Sequence, residues 1–253
     1  MKKSALFLAL TALTTGSAFA NTFVNGGFEA GDLSGWTGGG GSWFGSPAAP
    51  VNPTTYTGGT PNNTIMSGGT DPITGASTVY NGSHSVRVND SINNRSVSTL
   101  SQSVTNYTDN NIYFEWNAVL ESSHNLTNSD YFSLTLVDDT THTTIVNRGY
   151  SSAGSIGGGT TGVTWTQFGS WYSSGWVVEN IDLVALGAVG HDFTLTVLAS
   201  DCPYSGHAGY AYLDGFGGVI VTPGPNGVPE PASLALLGLG LAGLSAARRR
   251  KSA

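Results

Sequence analysis

The alternation of apolar and polar residues along the middle of the chain constrains the fold more than any other feature. Apolar side chains recur at every second position over residues 86–88, 112–116, 132–136, 193–197 and 210–212. Period two is the period of a β-strand, and no helical period competes with it. Clusters of Gly, Asn, Ser and Asp between the runs supply frequent turns. These patterns predict an all-β body, an antiparallel β-sandwich of the jelly-roll type.

The predicted sandwich spans residues 21–221 and includes one region without this alternation. Residues 37–77 are rich in Gly, Pro, Asn and Thr. We expect them to form a long loop or insertion, which in a compact domain usually has a function or is mobile.

The charge of the body excludes one class of partner. Charged residues make up only 10% of the chain. Between residues 21 and 227 there are three arginines, no lysine and fifteen acidic residues. Nucleic-acid affinity depends on Lys and Arg neutralising phosphates, so no nucleic acid is expected as a partner.

Residues 1–20 have the three parts of a secretory signal peptide. Two lysines precede an apolar run, and the small residues Ala18 and Ala20 stand where signal peptidase cleaves. A buried N-terminal helix is the alternative interpretation, but the cleavage site disfavours it. The sequence therefore predicts export, with a mature chain that starts at Asn21.

The C-terminal part of the chain has the composition of a membrane segment. Residues 222–227 form a Pro/Gly/Asn linker, and uncharged residues fill positions 232–247. A transmembrane helix over this stretch is about 24 Å long, enough to span a slightly thinned bilayer. The basic residues at 248–251 are expected to stay cytoplasmic and to place the body on the far side of the membrane. An amphipathic core helix is the alternative, which the all-round apolar character disfavours.

Three ordered elements occupy residues 228–253: the tetrapeptide Val228-Pro229-Glu230-Pro231, the short apolar helix, and the tail with Arg248, Arg249 and Arg250. This arrangement resembles the PEP-CTERM sorting signal of Gram-negative bacteria. The resemblance implies that an exosortase cleaves the chain near the Pro-Glu-Pro motif, after signal peptidase has removed the leader. It also implies transient anchoring in the inner membrane, followed by transfer to the cell surface or the extracellular matrix.

Residues 25–29 read Asn-Gly-Gly-Phe-Glu, and residues 210–214 read Tyr-Ala-Tyr-Leu-Asp. Both segments resemble the first and last strands of galactose-binding-like jelly rolls, which include many carbohydrate-binding modules. The resemblance implies that Glu29 helps to hold a structural Ca²⁺ and that Asp214 returns beside it. Two carboxylates need further oxygen ligands to complete such a site. The alternative is that both are ordinary solvated acids at strand ends.

Glycan binding needs aromatic platforms, and the body contains six tryptophans. Alternation places Trp116 on the core face of its strand. Trp43 in the Gly-rich region and Trp171 and Tyr172 in the segment after Thr160 are the candidates for exposed platforms. The alternative for each is a structural role, because tryptophan is usually largely buried.

Cys202 and His207 lie in the segment that joins the last two predicted strands. Cys202 is the only cysteine of the chain, so in an exported protein it is either a leftover thiol or half of an intermolecular disulfide. A Cys-His nucleophile needs a third orienting group, and none is evident from the sequence. A polar loop with a satisfied histidine is the alternative.

The sequence has no Gly-x-Ser-x-Gly, His-Glu-x-x-His or P-loop motif. The favoured interpretation is therefore a non-enzymatic, exported β-sandwich that binds exopolysaccharide or another glycan. A structural matrix or adhesion protein without specific sugar binding is the second hypothesis. A polysaccharide-processing enzyme is the third.

Overall fold

The computed structural model describes residues 22–44, 53–124, 129–152, 163–204 and 206–217. The predicted signal peptide, linker and PEP-CTERM segment lie outside these ranges. Within them, no helix is long and apolar enough to cross a membrane. The regular elements are the strands β1 Thr37–Ser42, β2 Thr64–Met66, β3 Ser85–Val88, β4 Ser96–Val104, β5 Asn111–Glu121, β6 Tyr131–Asp138, β7 Thr143–Ser151, β8 Thr166–Phe168, β9 Trp171–Ser173, β10 Val177–Asp182, β11 Phe193–Ser200 and β12 Gly209–Gly217, a 3₁₀ turn Pro53–Tyr56 and one short helix α1 Leu183–Leu186.

The strands form two sheets that enclose a common core. The first sheet has five strands in the order β1-β4-β11-β6-β7. The second has seven strands in the order β2-β3-β12-β5-β9-β8, with β10 also paired to β5. Every described strand pair is antiparallel. The predicted all-β antiparallel sandwich is therefore confirmed.

Alternation along the central strands places their apolar residues between the two sheets. In the first sheet, Leu100 and Leu134 are the direct partners of Val197 across β4, β6 and β11. In the second sheet, Leu213 is the partner of Trp116 across β12 and β5. All five side chains are fully buried in one hydrophobic cluster. The prediction that Trp116 is a core residue is confirmed.

The region 37–77 contains more regular structure than its composition indicated. It holds β1, the 3₁₀ turn and β2. Strand β1 reads Thr-Gly-Gly-Gly-Gly-Ser, so it has no row of side chains that could alternate. A Cβ on Gly39 would collide with the carbonyl oxygen of Tyr56, and one on Gly40 would lie 2.7 Å from Cα of Pro61. The expected long loop is therefore interrupted by a strand that close backbone packing creates.

Two successive strands pair along the same edge of β5. Strand β10 pairs with the first half of β5 and β9 with the second half. The chain leaves the ladder between them at Gly175, whose φ of +60° suits glycine. Trp176 follows immediately, and it therefore lies at a break in the sheet rather than inside a strand.

An ion pair joins strand β7 of the first sheet to strand β10 of the second. Arg148 on β7 donates from Nε and Nη2 to the two carboxylate oxygens of Glu179 on β10, both at 2.8 Å. Glu179 also accepts a hydrogen bond from Nε1 of Trp116 at 3.2 Å. In register, Arg148 is opposite Leu134 and Glu179 is opposite Phe114, so both side chains lie on the core-facing side of their sheets.

Replacing Glu179 by Gln is expected to destabilise the protein by about 2 kcal/mol, because the partly buried Arg148 loses its charge partner. We place the loss below that of a fully buried pair, since the Arg148 side chain is 35% exposed. The double variant R148M/E179Q should lose less than E179Q, because no unpaired charge remains in it and the amide oxygen at position 179 can still accept from Trp116. Urea unfolding of the full chain measures both losses. An equal or larger loss in the double variant would contradict this account.

Candidate functional site

Two buried tyrosines form the base of an aromatic surface on the outside of the seven-stranded sheet. Ala211 and Leu213 of β12 face the core, so Tyr210 and Tyr212 face outwards. Their hydroxyls donate to Oδ2 of Asp71 at 2.6 and 2.7 Å. All three polar side chains are only 1% exposed, which shows that the segment carrying Asp71 covers this part of the sheet.

Asp71 also organises its own segment. Its Oδ1 accepts hydrogen bonds from the backbone N–H of Ile73 and Thr74 at 3.0 and 2.7 Å, and from the Thr74 hydroxyl at 2.9 Å. Burial raises the pKa of Asp71, but the hydrogen bonds from Tyr210, Thr74 and Tyr212 outweigh it and leave the pKa below its usual value. Burial, followed by the bond to Asp71, raises the pKa of both tyrosines. The carboxylate is therefore charged at neutral pH, and both hydroxyls remain donors.

Three half-exposed rings lie on this base, and we call Tyr80, Trp171 and Trp176 together with the two tyrosines the aromatic face. The ring centroid of Trp171 is 5.9 Å from that of Tyr210. The ring centroid of Trp176 is 6.2 Å from that of Tyr212 and 5.6 Å from that of Tyr80. The face is therefore a contiguous set of rings whose inner members are buried and whose outer members contact solvent.

Polar contacts restrict the motion of the aromatic face. Trp176 donates from Nε1 to the carbonyl oxygen of Ser77 at 3.0 Å. The guanidinium carbon of Arg87 lies 6.0 Å from the ring centroid of Tyr210, and its Nε donates to the carbonyl oxygen of Asn89 at 3.1 Å. A rigid aromatic area with a guanidinium donor beside it can hold a ligand that offers both an apolar surface and hydrogen-bonding groups.

The three residues predicted as exposed aromatic platforms, Trp43, Trp171 and Tyr172, lie in different environments in the structure. Trp171 belongs to the aromatic face, whereas Tyr172 is its neighbour in β9 and points to the other side of the strand. Trp43 is only 4% exposed, so the expectation of an exposed ring is wrong: the residue follows β1 and packs on the outer side of the five-stranded sheet. Tyr80 and Trp176 were missed, because only contacts between distant segments place them in the face.

The predicted metal ligands Glu29 and Asp214 lie at one corner of the sandwich. A Cβ placed on Gly27 would be 3.8 Å from Cγ of Glu29 and 4.0 Å from Oδ1 of Asp214. The structure therefore brings the two side chains close to the same glycine, although they are 185 positions apart in the sequence.

Both carboxylates bind the same backbone segment, residues 80–84. The N–H groups of residues 83 and 84 donate to Oε1 of Glu29 at 2.9 and 3.0 Å. Those of residues 80 and 81 donate to Oδ2 of Asp214 at 2.9 and 3.0 Å. Asp214 is 1% exposed, so the alternative that it is an ordinary solvated acid does not hold for this residue.

A third carboxylate that sequence reasoning missed lies at this corner. Glu115 on β5 is directly opposite Asp214 on β12, and it is 2% exposed. Its Oε2 lies over Gly215 and has no hydrogen-bond partner among the residues that the structure describes. Burial, followed by the charge of Asp214, raises the pKa of Glu115 to about 8. Burial also raises the pKa of Asp214 to about 7, although backbone N–H donors oppose the shift.

The oxygen donors at this corner are of the chemical type that a hard cation prefers. Two buried carboxylates repel each other, one of their oxygens lacks a partner, and Glu29 adds a third carboxylate nearby. Ca²⁺ prefers carboxylate and carbonyl oxygens, and its charge would relieve this repulsion. Glu29, Asp214 and Glu115 share this corner, but their carboxylate oxygens do not all lie within 4.8 Å of one another, so these described residues do not form a preformed three-carboxylate site. The calcium site remains a prediction.

Cys202 and His207 lie in the loop between β11 and β12, at the other end of β12 from the acidic corner. The N–H of Cys202 donates to the carbonyl oxygen of His207 at 3.0 Å and closes the loop. Cys202 is fully buried and His207 is half-buried. Burial, followed by the nearby His124, lowers the pKa of His207, against the opposing effect of Glu121. The thiol is thus shielded from bulk water.

Residues 227–251 match the PEP-CTERM protein-sorting motif. The chain therefore carries this sorting signal, and the resemblance inferred from Val228 to Pro231 and the arginine tail is confirmed. The motif implies export and membrane-anchored sorting. No curated protein sequence matches this chain.

Solved structures similar to this chain include carbohydrate-binding β-sandwiches. One is TmCBM61 in complex with beta-1,4-galactotriose, with 12% identity, coverage of 78% of this chain and 97% of that chain, and a TM-score of 0.39. Another is CBM27-1 of Caldicellulosiruptor saccharolyticus in complex with mannohexaose, with 10% identity, coverage of 79% and 97%, and a TM-score of 0.39. A third is the enzymatically active domain of tailspike protein 4 of bacteriophage CBA120, with 13% identity, coverage of 79% and 22%, and a TM-score of 0.35. Their ligands and activities are properties of those proteins and are not assigned to this chain.

The acidic corner should make stability depend on pH when calcium is chelated. The pKa values of Asp214 and Glu115 are raised to about 7 and about 8, whereas unfolded carboxyls titrate near about 4. The folded chain then binds more protons than the unfolded chain between these values, so stability should fall as the pH rises from about 4 to about 8.

Replacing Glu115 by Gln removes one of the two repelling charges. In chelator at pH about 8, E115Q should raise the Tm by about 2–4 °C and flatten its pH dependence. It should also reduce the stabilisation by added Ca²⁺. The exposed Asp32 is the matched control, and D32N should leave the calcium effect unchanged. Thermal melts of the full chain decide this: an E115Q variant with a lower Tm and an unchanged calcium response would contradict the assignment.

Proposed function

We propose that this chain is an exported, exosortase-sorted protein that binds carbohydrate through its β-sandwich. The aromatic face is the observation that carries the proposal. The outer rings of Trp171 and Trp176 rest on buried tyrosines, and Tyr80 packs against Trp176, so little side-chain freedom is lost when a ligand stacks on them. Sugar rings offer flat C–H surfaces for such stacking, and their hydroxyls accept hydrogen bonds from donors at the rim.

The charge of the body favours a neutral or weakly charged exopolysaccharide as the ligand. Fifteen acidic residues face three arginines between residues 21 and 227, and a polyanionic glycan is repelled by that excess. One of these arginines, Arg87, lies beside the aromatic face. Its guanidinium has five N–H donors, which suits contact with sugar hydroxyls.

Calcium has a structural role in this proposal. A calcium ion that draws the carboxylates of Glu29, Asp214 and Glu115 together would fix residues 80–84, and Tyr80 at the start of this segment belongs to the aromatic face. Glu29 and Asp214 accept backbone hydrogen bonds, which supports a structural use rather than a catalytic one. We therefore propose a non-enzymatic body in which calcium stabilises one side of the binding surface.

Replacing Trp176 or Trp171 by Ala should weaken glycan binding about thirtyfold, the loss of about 2 kcal/mol expected for a central aromatic anchor. The full chain is screened with Ca²⁺ and with chelator against the host exopolysaccharide and a glycan array, and affinities are measured by calorimetry. Phe44 is 67% exposed and lies beside Arg95 instead of in the aromatic face. F44A is therefore the matched control, and its affinity should equal that of the wild type.

Each other outcome favours a different hypothesis. If the wild type binds no glycan but calcium still raises its Tm, a structural matrix or adhesion role replaces sugar binding. If the chain releases reducing ends from the polysaccharide, it is a processing enzyme. If F44A loses binding and W176A retains it, the binding surface lies elsewhere and the aromatic face is not the site.

The PEP-CTERM motif allows a separate test of export. The double variant P229A/E230A should remain in the inner-membrane fraction at a higher mass than the wild type, because exosortase cleavage is proposed to depend on this tripeptide. Asn226 lies just outside the matched residues, and N226A should be sorted normally. Cell fractionation with intact-mass spectrometry measures both. Normal release of P229A/E230A would show that the motif is dispensable.

A further inference from the structure

The pairing of β5 with β12 brings two loops together at one end of the sandwich. Gly209 at the start of β12 is the register partner of Leu120 near the end of β5. The loop that follows β5 carries His124, and the loop that precedes β12 carries Cys202 and His207. These three residues therefore meet because of the sheet topology, although 78 positions separate His124 from Cys202.

The side chains of His124, Cys202 and His207 converge. One nitrogen of each imidazole and Sγ of Cys202 all lie within 4.8 Å of one another. The two imidazole rings are 4.7 Å apart between centroids and nearly perpendicular, at 86°. Zinc ligands at bond lengths of about 2.0–2.3 Å are roughly 3.5 Å apart in a tetrahedral site.

The backbone around the cluster is held in place. The N–H of Cys202 donates to the carbonyl oxygen of His207 at 3.0 Å, which fixes the two ends of the loop against each other. Ala208 then joins the loop to β5: its N–H donates to Oε2 of Glu121, and its carbonyl oxygen accepts from the N–H of Glu121, both at 3.0 Å. Two of the three converging side chains are therefore positioned by hydrogen bonds that do not use those side chains.

A second, independent observation concerns the imidazole of His207. Nδ1 of His207 is buried and has no hydrogen-bond partner among the described residues. Such a buried nitrogen is costly unless something satisfies it. Burial decreases from the fully buried Cys202 through the half-buried His207 to the exposed His124. The cluster is therefore open to solvent at one side, which gives an ion a path to the thiol.

We propose that His124, Cys202 and His207 bind one first-row transition-metal ion of borderline or soft character, Zn²⁺ or Cu⁺. Imidazole nitrogen and thiolate sulfur are the ligands that these ions prefer, whereas Ca²⁺ prefers oxygen. Three protein ligands leave a fourth position of tetrahedral Zn²⁺ for solvent or an external group. An internal disulfide cannot form at this site, because the chain has no second cysteine.

Metal titration of the full chain tests the proposal. The chain is purified in reductant, stripped with chelator, and titrated with Zn²⁺ alone and, without oxygen, with Cu⁺ alone, in competition with a chromogenic chelator. Co²⁺ serves as a spectroscopic probe, because a thiolate ligand produces a charge-transfer band in the near ultraviolet. We expect one ion per chain and a thiolate band that is absent from C202S.

The variant H124Q carries the test, because His124 is exposed and its replacement should not affect folding, whereas C202S alters a buried side chain. H124Q should bind the ion at least about tenfold more weakly, with the metal-free Tm unchanged. His142 is an exposed histidine in the turn between β6 and β7 with φ of +56°, a conformation that Asn tolerates. H142N is therefore the matched control and should bind as the wild type does.

The outcomes separate clearly. Stoichiometric binding of either ion that weakens in H124Q and not in H142N supports the site, and the ion with the higher affinity identifies the metal. The proposal would be overturned if the wild type bound the ion no more strongly than H124Q does. It would also be overturned if H142N weakened binding as much as H124Q, or if C202S gave the same cobalt spectrum as the wild type. Glycan binding through the aromatic face is measured separately, and neither result depends on the other.

Discussion

The outer surface of the seven-stranded sheet depends on the hydrogen bonds that the carboxylate of Asp71 accepts. It is an isolated acid in a loop, yet it accepts hydrogen bonds from two tyrosines of β12 and from the backbone of its own turn. Without it, two buried hydroxyls would lose their acceptor, and the segment before β3 would lose its attachment to the sheet. One charged group therefore helps to bury Tyr210 and Tyr212 in a small cluster on the outer side of the sheet.

Strand β12 organises three chemically different regions along nine residues. Its first residue adjoins the loop with nitrogen and sulfur donors, and its middle carries the tyrosines of the aromatic face. Asp214, near its end, belongs to the acidic corner with oxygen donors. Because alternate residues face opposite sides, the same strand supplies Ala211 and Leu213 to the core. The central position of β12, between β3 and β5, holds all three regions on a rigid support.

Sequence reasoning recovered those parts of the fold that side-chain alternation encodes. Strands such as β5 and β12 were predictable, because apolar residues at every second position all lie on one side of an extended strand, and that side is buried. Strand β1 was not predictable, since four glycines give no pattern and the packing of Tyr56 and Pro61 decides its conformation. Alternation along β1 would have required side chains for which there is no space.

The candidate sites were predictable only in part, for a related reason. Glu29 and Asp214 were brought together by resemblance to a family, whereas Glu115 belongs to their corner through strand register alone. Trp171 was identified by its type and position, but Trp176 and Tyr80 depend on a sheet break and a loop that only the folded chain reveals. His124 has no sequence signal, because its partners lie in a loop that follows β11.

The glycine strand has a consequence for self-association of the protein. A strand at the edge of a sheet normally presents free N–H and carbonyl groups that a second molecule can pair with, and such pairing starts aggregation. Here the segment after the 3₁₀ turn runs along that edge, and the N–H of Gly40 already donates to the carbonyl oxygen of Gly58 at 2.8 Å. The chain thus covers part of this edge of the five-stranded sheet with its own backbone, which leaves fewer free groups for pairing with a second copy through β1.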